Sequence, residues 1–136
     1  MNEPVFLDTS ALYAVFDADD SHHAAAAQAW RTLLESDASL VTSNYVLVEL
    51  GALLQRRLGA AALDALATFV LPWVRVAWVD ERVHEQAFAA LLAAGKREQS
   101  LVDHTSFVLM RKLGVRTALA IDRHFVQQGV VTTPET

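Results

Sequence analysis

Apolar and polar residues alternate in blocks along this chain, and each block has the length and period of a definite element. Val5-Phe6-Leu7 is a short apolar run that ends in Asp8, with Ser10 standing before the stretch from Ala11 to Phe16; this predicts a strand, a polar turn and a capped helix. The alanine-rich segment from Ser21 to Ser36, with Trp30, Leu33 and Leu34, predicts a second helix, and Leu40-Val41-Thr42 a brief second strand. Val46, Leu47, Leu50, Leu53 and Leu54 share one stripe at about 3.6 residues per turn, with Ser43 or Asn44 as the cap and Gly59 as the stop. A helix from Ala60 to Phe69 is stopped by Pro72, and Val74 to Val79 has the β-branched content of a third strand closed by Asp80.

Glu81 to Ala94 and Ser100 to Leu113 read as helices stopped by Gly95 and Gly114. Thr117 to Ile121 and Val130 to Thr132 read as two further strands, with Arg123 to Gln128 as a short helical turn between them. Strands separated by helices imply right-handed crossovers. The expected fold class is therefore α/β, a three-layer α/β/α sandwich with a mostly parallel central sheet of about five strands, and the 136 residues suit a single domain over 1–136.

Composition narrows the chemistry. The hydrophobic fraction of 53% fits a well-buried sheet, yet its most apolar region, Leu66 to Val79, is interrupted by Pro72 and Arg75 and falls short of the roughly twenty residues of a membrane helix. Met1-Asn2-Glu3-Pro4 lacks the basic-then-apolar order of a secretory signal, so a cytoplasmic location is expected. Without cysteine there is no disulfide framework, no thiolate nucleophile and no cysteine-ligated zinc. The formal charge of −5 opposes a nucleic-acid backbone unless bound cations neutralise some of the acids. No phosphate-cradling glycine loop and no Gly-x-Ser-x-Gly element is present.

Asp8 and Asp122 follow strands, where open parallel sheets bind ligands. An aspartate there is also an ordinary helix cap, and Asp80, in the same setting without a surrounding motif, is assigned to capping. Asp8 differs because the hydroxyl residues Thr9 and Ser10 follow it and can hold its oxygens or bound water. Glu49 borders the apolar stripe of its helix, where a surface pairing with Arg56 or Arg57 is the competing account. Asp103 stands three residues after Ser100 at capping-box spacing, on a helix apolar nearly all round. If such carboxylates converge within about 5 Å, each charged pair costs on the order of 3 kcal/mol at an effective dielectric of about 20. Mg2+ or Mn2+ relieves that repulsion with oxygen ligands. The histidines His22, His23, His84, His104 and His124 form no zinc-binding pattern and are assigned structural or surface places.

The ordered set Phe6-Leu7-Asp8-Thr9-Ser10-Ala11-Leu12, Val46-Leu47-Val48-Glu49-Leu50, Leu101-Val102-Asp103-His104-Thr105-Ser106-Phe107 and Ile121-Asp122-Arg123-His124-Phe125 resembles the PIN-domain family, most of all its VapC-type toxins. The resemblance spans essentially the whole chain. It implies a PIN-like fold and a Mg2+- or Mn2+-dependent endoribonuclease, the toxin of a toxin–antitoxin pair, with a homodimer and a small antitoxin protein as partners besides RNA. It further implies that Asp8, Glu49, Asp103 and Asp122 hold the metal and its waters, supported by Thr9, Ser10 and Asn44. One departure stands out: the family often has threonine or serine two residues before its last acid, and this chain has Ala120, which offers no hydroxyl to position water near Asp122. The last acid is in general expected to be the softest of the four.

Arg111, Lys112, Arg116 and Arg123, and the pair Lys96 and Arg97, are the basic residues available for RNA; solvated helix faces explain them equally well. Tyr13, Trp30 and Trp73 are either interface or core. Three other readings remain: a phosphotransfer domain with Asp8 as nucleophile, disfavoured because no second acid stands beside it; a non-catalytic PIN-like interaction module; and an RNA-maturation nuclease.

Overall fold

Residues 3–135 are described by a computed structural model, so Met1 and Asn2 of the leader reading lie outside the described residues. The apolar runs form five strands, β1 (Val5–Leu7), β2 (Leu40–Ser43), β3 (Val74–Ala77), β4 (Thr117–Leu119) and β5 (Val131–Thr133). All pair in parallel, in the order β3-β2-β1-β4-β5. Every residue of β1 and β2 is buried, as a parallel sheet requires when helices cover both faces. The helices are α1 (Thr9–Phe16), α2 (His23–Glu35), α3 (Asn44–Arg57), α4 (Ala60–Ala65), α5 (Glu81–Ala94), α6 (Leu101–Leu113) and α7 (Arg123–Gln127). This is the expected three-layer α/β/α arrangement. Phe6, Leu7, Val41 and Leu119 from the sheet join Leu12, Leu50, Leu54, Phe107 and Phe125 from the helices in one core.

The first helix starts at Thr9 with Asp8 as its cap, and not at Ala11 with Ser10 as the cap, because the Asp8 side chain takes the Ser10 N–H. α2 is shorter than the expected Ser21–Ser36 and β2 runs one residue further, to Ser43. Four other boundaries differ from the sequence reading, each for a local reason. The helix after Gly59 is α-helical only to Ala65 and then widens into a π-helical turn over Leu66–Val70 and a 3-10 turn over Leu71–Trp73. Pro72 has no N–H to give and its ring would meet the carbonyl of Thr68 in a continuous α-helix. β3 ends at Ala77 and not at Val79, because β2 has already become α3; the Val79 N–H is taken by Asn44 Oδ1 at 2.7 Å. β4 ends at Leu119, and the Ile121 N–H bonds a serine hydroxyl in place of a neighbouring strand. β5 begins one residue late because the Val130 N–H closes on Phe125 O behind Gly129.

Tyr13 and Trp30 are core residues, whereas Trp73 is exposed. Among the described residues no helix is long and apolar enough to cross a membrane.

Candidate active site of clustered carboxylates

β1 is the centre of the sheet. From it the chain moves to β2 on one side, and later returns to β4 on the other, with Leu7 beside Leu119. The carboxyl ends of β1 and β4 therefore flank the switch point where helices leave in opposite directions. Asp8 follows β1 in extended backbone and caps α1, its Oδ2 accepting from the Ser10 N–H at 3.2 Å and the Ser10 hydroxyl at 2.6 Å. Asp122 follows β4 and caps α7, its Oδ1 accepting from the His124 N–H at 2.9 Å. The Ser10 Oγ also accepts from the Ile121 N–H at 3.1 Å. One hydroxyl thus orients Asp8 and ties the two acid-bearing turns together, next to the position where Ala120 offers none.

Asp103 arrives from α6 through a complete capping box: Ser100 Oγ accepts from the Asp103 N–H at 3.1 Å, and Asp103 Oδ2 accepts from the Ser100 N–H at 3.0 Å. Capping uses that oxygen without removing it from the site, because a carboxylate oxygen has a second lone pair. Glu49 comes from the second turn of α3, half-buried. Among the described residues no ion pair joins it to Arg56 or Arg57. Asp8, Thr9, Ser10, Glu49, Leu53, Ser100, Asp103 and Asp122 line one open cavity of about 310 Å³. All four expected acids meet there, and no lysine or arginine is among the lining residues.

The electrostatics record this crowding. Burial pushes the Asp8 carboxyl from 3.8 up to about 7, the Asp103 and Asp122 charges push the same way, and the hydrogen bonds from Ser10 partly oppose them. Asp103 is also raised, first by burial and then by Asp122 and Glu49, against the Ser100 N–H and His124. These acids stand in each other's field with little positive charge to answer them.

The sequence reading gives His124 a structural or surface place, and the fold puts it at the acids. Its Nδ1 lies 2.8 Å from Asp122 Oδ1 and 3.9 Å from Asp103 Oδ2. The nearer contact is short but poorly directed, and the nitrogen has no hydrogen-bond partner among the described residues. The available signal was local: Asp122 and His124 stand two apart at a helix start, where both side chains can face the same way. His104, next to Asp103, is buried and its imidazole is held below the ordinary histidine range by burial, then by Arg111 and His124.

The supporting and basic residues separate. Thr9 and Ser10 line the cavity. Asn44 spends its side-chain oxygen on the Val79 N–H and does not line the acid cavity; its role is to fasten α3 to the end of β3. Arg111 and Lys112 occupy the last turn of α6, eight and nine residues beyond Asp103, or about 12–14 Å along the axis. Arg116 precedes β4, at the end of the sheet away from Asp122, and pairs with Glu3 at 3.0 Å. Those three do not end near the acids as the sequence suggests, since helices and strands here run in opposite directions. Arg123, exposed beside Asp122, does. Lys96 and Arg97 are exposed in the connection leading to Ser100.

Comparison with known proteins agrees with this geometry. The family model described as "PIN domain" matches residues 5–130. The chain is 40% identical over 128 residues to the 23S rRNA-specific endonuclease VapC20 of Mycobacterium tuberculosis, covering 93% of this chain and 95% of that protein. The crystal structure of VapC20, described as a sarcin–ricin loop cleaving toxin, superposes with a TM-score of 0.81 over 93% of this chain and 96% of that one. FitAcB from Neisseria gonorrhoeae shares the fold at 17% identity, with a TM-score of 0.68 over 95% and 96% of the two chains.

Proposed function

The chain belongs to the PIN-domain family, and from that premise we propose that it is a metal-dependent endoribonuclease, the toxin of a toxin–antitoxin pair. The observation that carries the reading is the meeting of Asp8, Glu49, Asp103 and Asp122 around one open cavity that no basic side chain lines. The donor set fits a divalent cation. It is rich in oxygen, and it includes a carboxyl whose ionisation is held back first by burial and then by two neighbouring acids. Asp8, Glu49, Asp103 and Asp122 would hold the ion and its waters between them, with Asp103 and Asp122 near enough to share one ion; Mg2+ and Mn2+ are the ions such a set favours.

A cation bound there supplies charge neutralisation for the phosphodiester and acidifies water that can attack it. The chain's own residues perform the remaining work. Ser10 holds Asp8 in place and pins the Asp122 turn against it. The Ser100 N–H fixes Asp103. A carboxylate of the four left free of the ion would be the group to accept a proton, and Arg123, exposed and next to Asp122 in the chain, would be the basic residue to meet phosphate.

The substrate class we propose is structured RNA, with an rRNA stem-loop like that cut by VapC20 as the first to try. A small antitoxin protein and a second copy of this chain are the proposed partners; Val48, Trp78 and Leu92 are exposed apolar residues open to contact. The cytoplasm is the proposed compartment. The test is cleavage of a sarcin–ricin-type hairpin RNA by the full chain with Mg2+ or Mn2+ and with chelator. Metal-dependent cuts that vanish in Asp8→Asn are expected. Metal binding by the wild type without cleavage of this or any ribosomal RNA would point instead to the non-catalytic interaction module.

A further inference from the structure

We propose that His124 is a nitrogen ligand of the cation held by Asp103 and Asp122, and that it biases the site toward Mn2+ over Mg2+. The inference rests on the metal-dependent reading above and extends its ligand set beyond the four acids. One ligand atom each from Asp103, Asp122 and His124 lie within 4.8 Å of one another. Donors on adjacent corners of an octahedral ion bound at about 2.1 Å stand about 3 Å apart, and those on opposite corners about 4.2 Å. The separations of 2.8 and 3.9 Å from the His124 nitrogen to the two carboxylates fall close to that range, so one ion can be shared with small side-chain adjustment.

Two unmet polar atoms at the same place point to a missing ligand. The His124 Nδ1 is largely buried and, although 2.8 Å from Asp122 Oδ1, makes no well-directed hydrogen bond among the described residues, and buried polar atoms in folded proteins are seldom left so. Its backbone is not free to turn it away, because the His124 N–H is bound to Asp122 Oδ1 at the start of α7. Independently, Thr9 is only 5% exposed, lines the acid cavity, and has a hydroxyl that meets no partner among the described residues. A hydrated ion would satisfy both, the nitrogen by coordination and the hydroxyl through one of its waters.

Ligand chemistry then sets the preference. Mg2+ holds oxygen donors and parts with water reluctantly, whereas imidazole suits first-row transition ions. A set of carboxylates with one imidazole keeps the oxygen-rich surroundings that Mn2+ accepts and adds a donor of little use to Mg2+.

The test is Mn2+ binding to the chelator-treated full chain, read by electron paramagnetic resonance, with Mg2+ affinity from competition and pulsed detection of nitrogen-14 coupling to the bound ion. The wild type is expected to show the coupling and to bind Mn2+ about tenfold or more tighter than Mg2+. His124→Gln should lose the coupling and about tenfold or more of Mn2+ affinity, with Mg2+ affinity changed less than about threefold. His124→Asp should regain affinity through oxygen, without the coupling. Mn2+ bound with no nitrogen coupling in the wild type, or with unchanged affinity in His124→Gln, overturns the assignment of His124 and leaves the acid site standing. Failure of the wild type to bind either ion overturns both. Thermal unfolding in chelator identifies a variant that has not folded, in which case the wild-type nitrogen coupling alone decides.

Discussion

Replacing Asp8 with asparagine should stabilise the metal-free protein at alkaline pH even as it destroys the site. The carboxyl is almost fully buried, and its folded-state value of about 7 stands above the ordinary 3.8. At about 1.4 kcal/mol per pH unit, that gap is about 4 kcal/mol. The sign is set by the direction of the shift. A raised carboxyl holds its proton more tightly when folded, so the associated stability is complete below about pH 4, declines as pH rises, and is gone above about pH 7. An asparagine at this position has no proton to lose. Its amide oxygen can still accept from the Ser10 N–H and hydroxyl, though more weakly than a carboxylate, which trims the gain to about 2–3 kcal/mol at pH 8.

Urea unfolding of both proteins in chelator, at half-unit steps from pH 5 to 8, reads this directly as the difference between their stabilities. His104, held below the ordinary histidine range, titrates in the opposite sense and gains stability as pH rises, but it is common to both proteins and cancels in the difference. Near pH 5 the two should be close, and at pH 8 the variant should lead. A variant no more stable than the wild type at pH 8 refutes the account of Asp8 as an acid held in repulsion. Adding Mg2+ or Mn2+ at a hundredfold its dissociation constant should restore about 2.7 kcal/mol to the wild type and nothing comparable to the variant.

Further outcomes follow from the same geometry. Ser10→Ala removes both the bond to Asp8 and the one to the Ile121 N–H, so a loss of about 1–3 kcal/mol in unfolding free energy should accompany slower RNA cleavage; unchanged cleavage would separate Ser10 from the acids. Asp122→Asn should lower the initial cleavage rate less than Asp8→Asn or Asp103→Asn, since its side chain is more exposed than that of Asp103; equal or greater loss reverses the ranking. Arg123→Ala should weaken RNA binding and flatten its salt dependence, by about one phosphate contact, while Arg116→Ala, at the far end of the sheet, should change neither; salt titrations of binding by the two variants decide.

Much of the fold was legible because its elements are short, strongly patterned and punctuated by residues with single uses. Gly95 and Gly114 end α5 and α6 in left-handed backbone, which glycine adopts at low cost. Boundaries failed where a side chain replaced a backbone partner. Asn44 takes the Val79 N–H and Ser10 takes that of Ile121, and no hydropathy pattern registers such substitutions. The basic residues failed for a different reason. Arg111 and Lys112 belong to the same helix as Asp103, but a helix has two ends, and only the direction in which α6 runs relative to β4 tells which end meets the cavity.

The same consideration separates Asp8 from Asp80. Both stand in extended backbone after a strand, and both accept a main-chain N–H at a helix start, Asp8 from Ser10 and Asp80 from Val83. Nothing local makes one a cap and the other a metal ligand. β3, which Asp80 follows, is at the edge of the sheet and two strands from β1, about 9–10 Å at ordinary strand spacing. β4, which Asp122 follows, is the immediate neighbour of β1. Capping brings each acid to a strand end with its oxygens forward, and strand order decides which of those ends share a cavity. Asp103 enters the same cavity from a helix start unattached to any strand. A capping motif is therefore a way of aiming carboxylates, and the chemistry begins only where the topology makes several of them aim at one place.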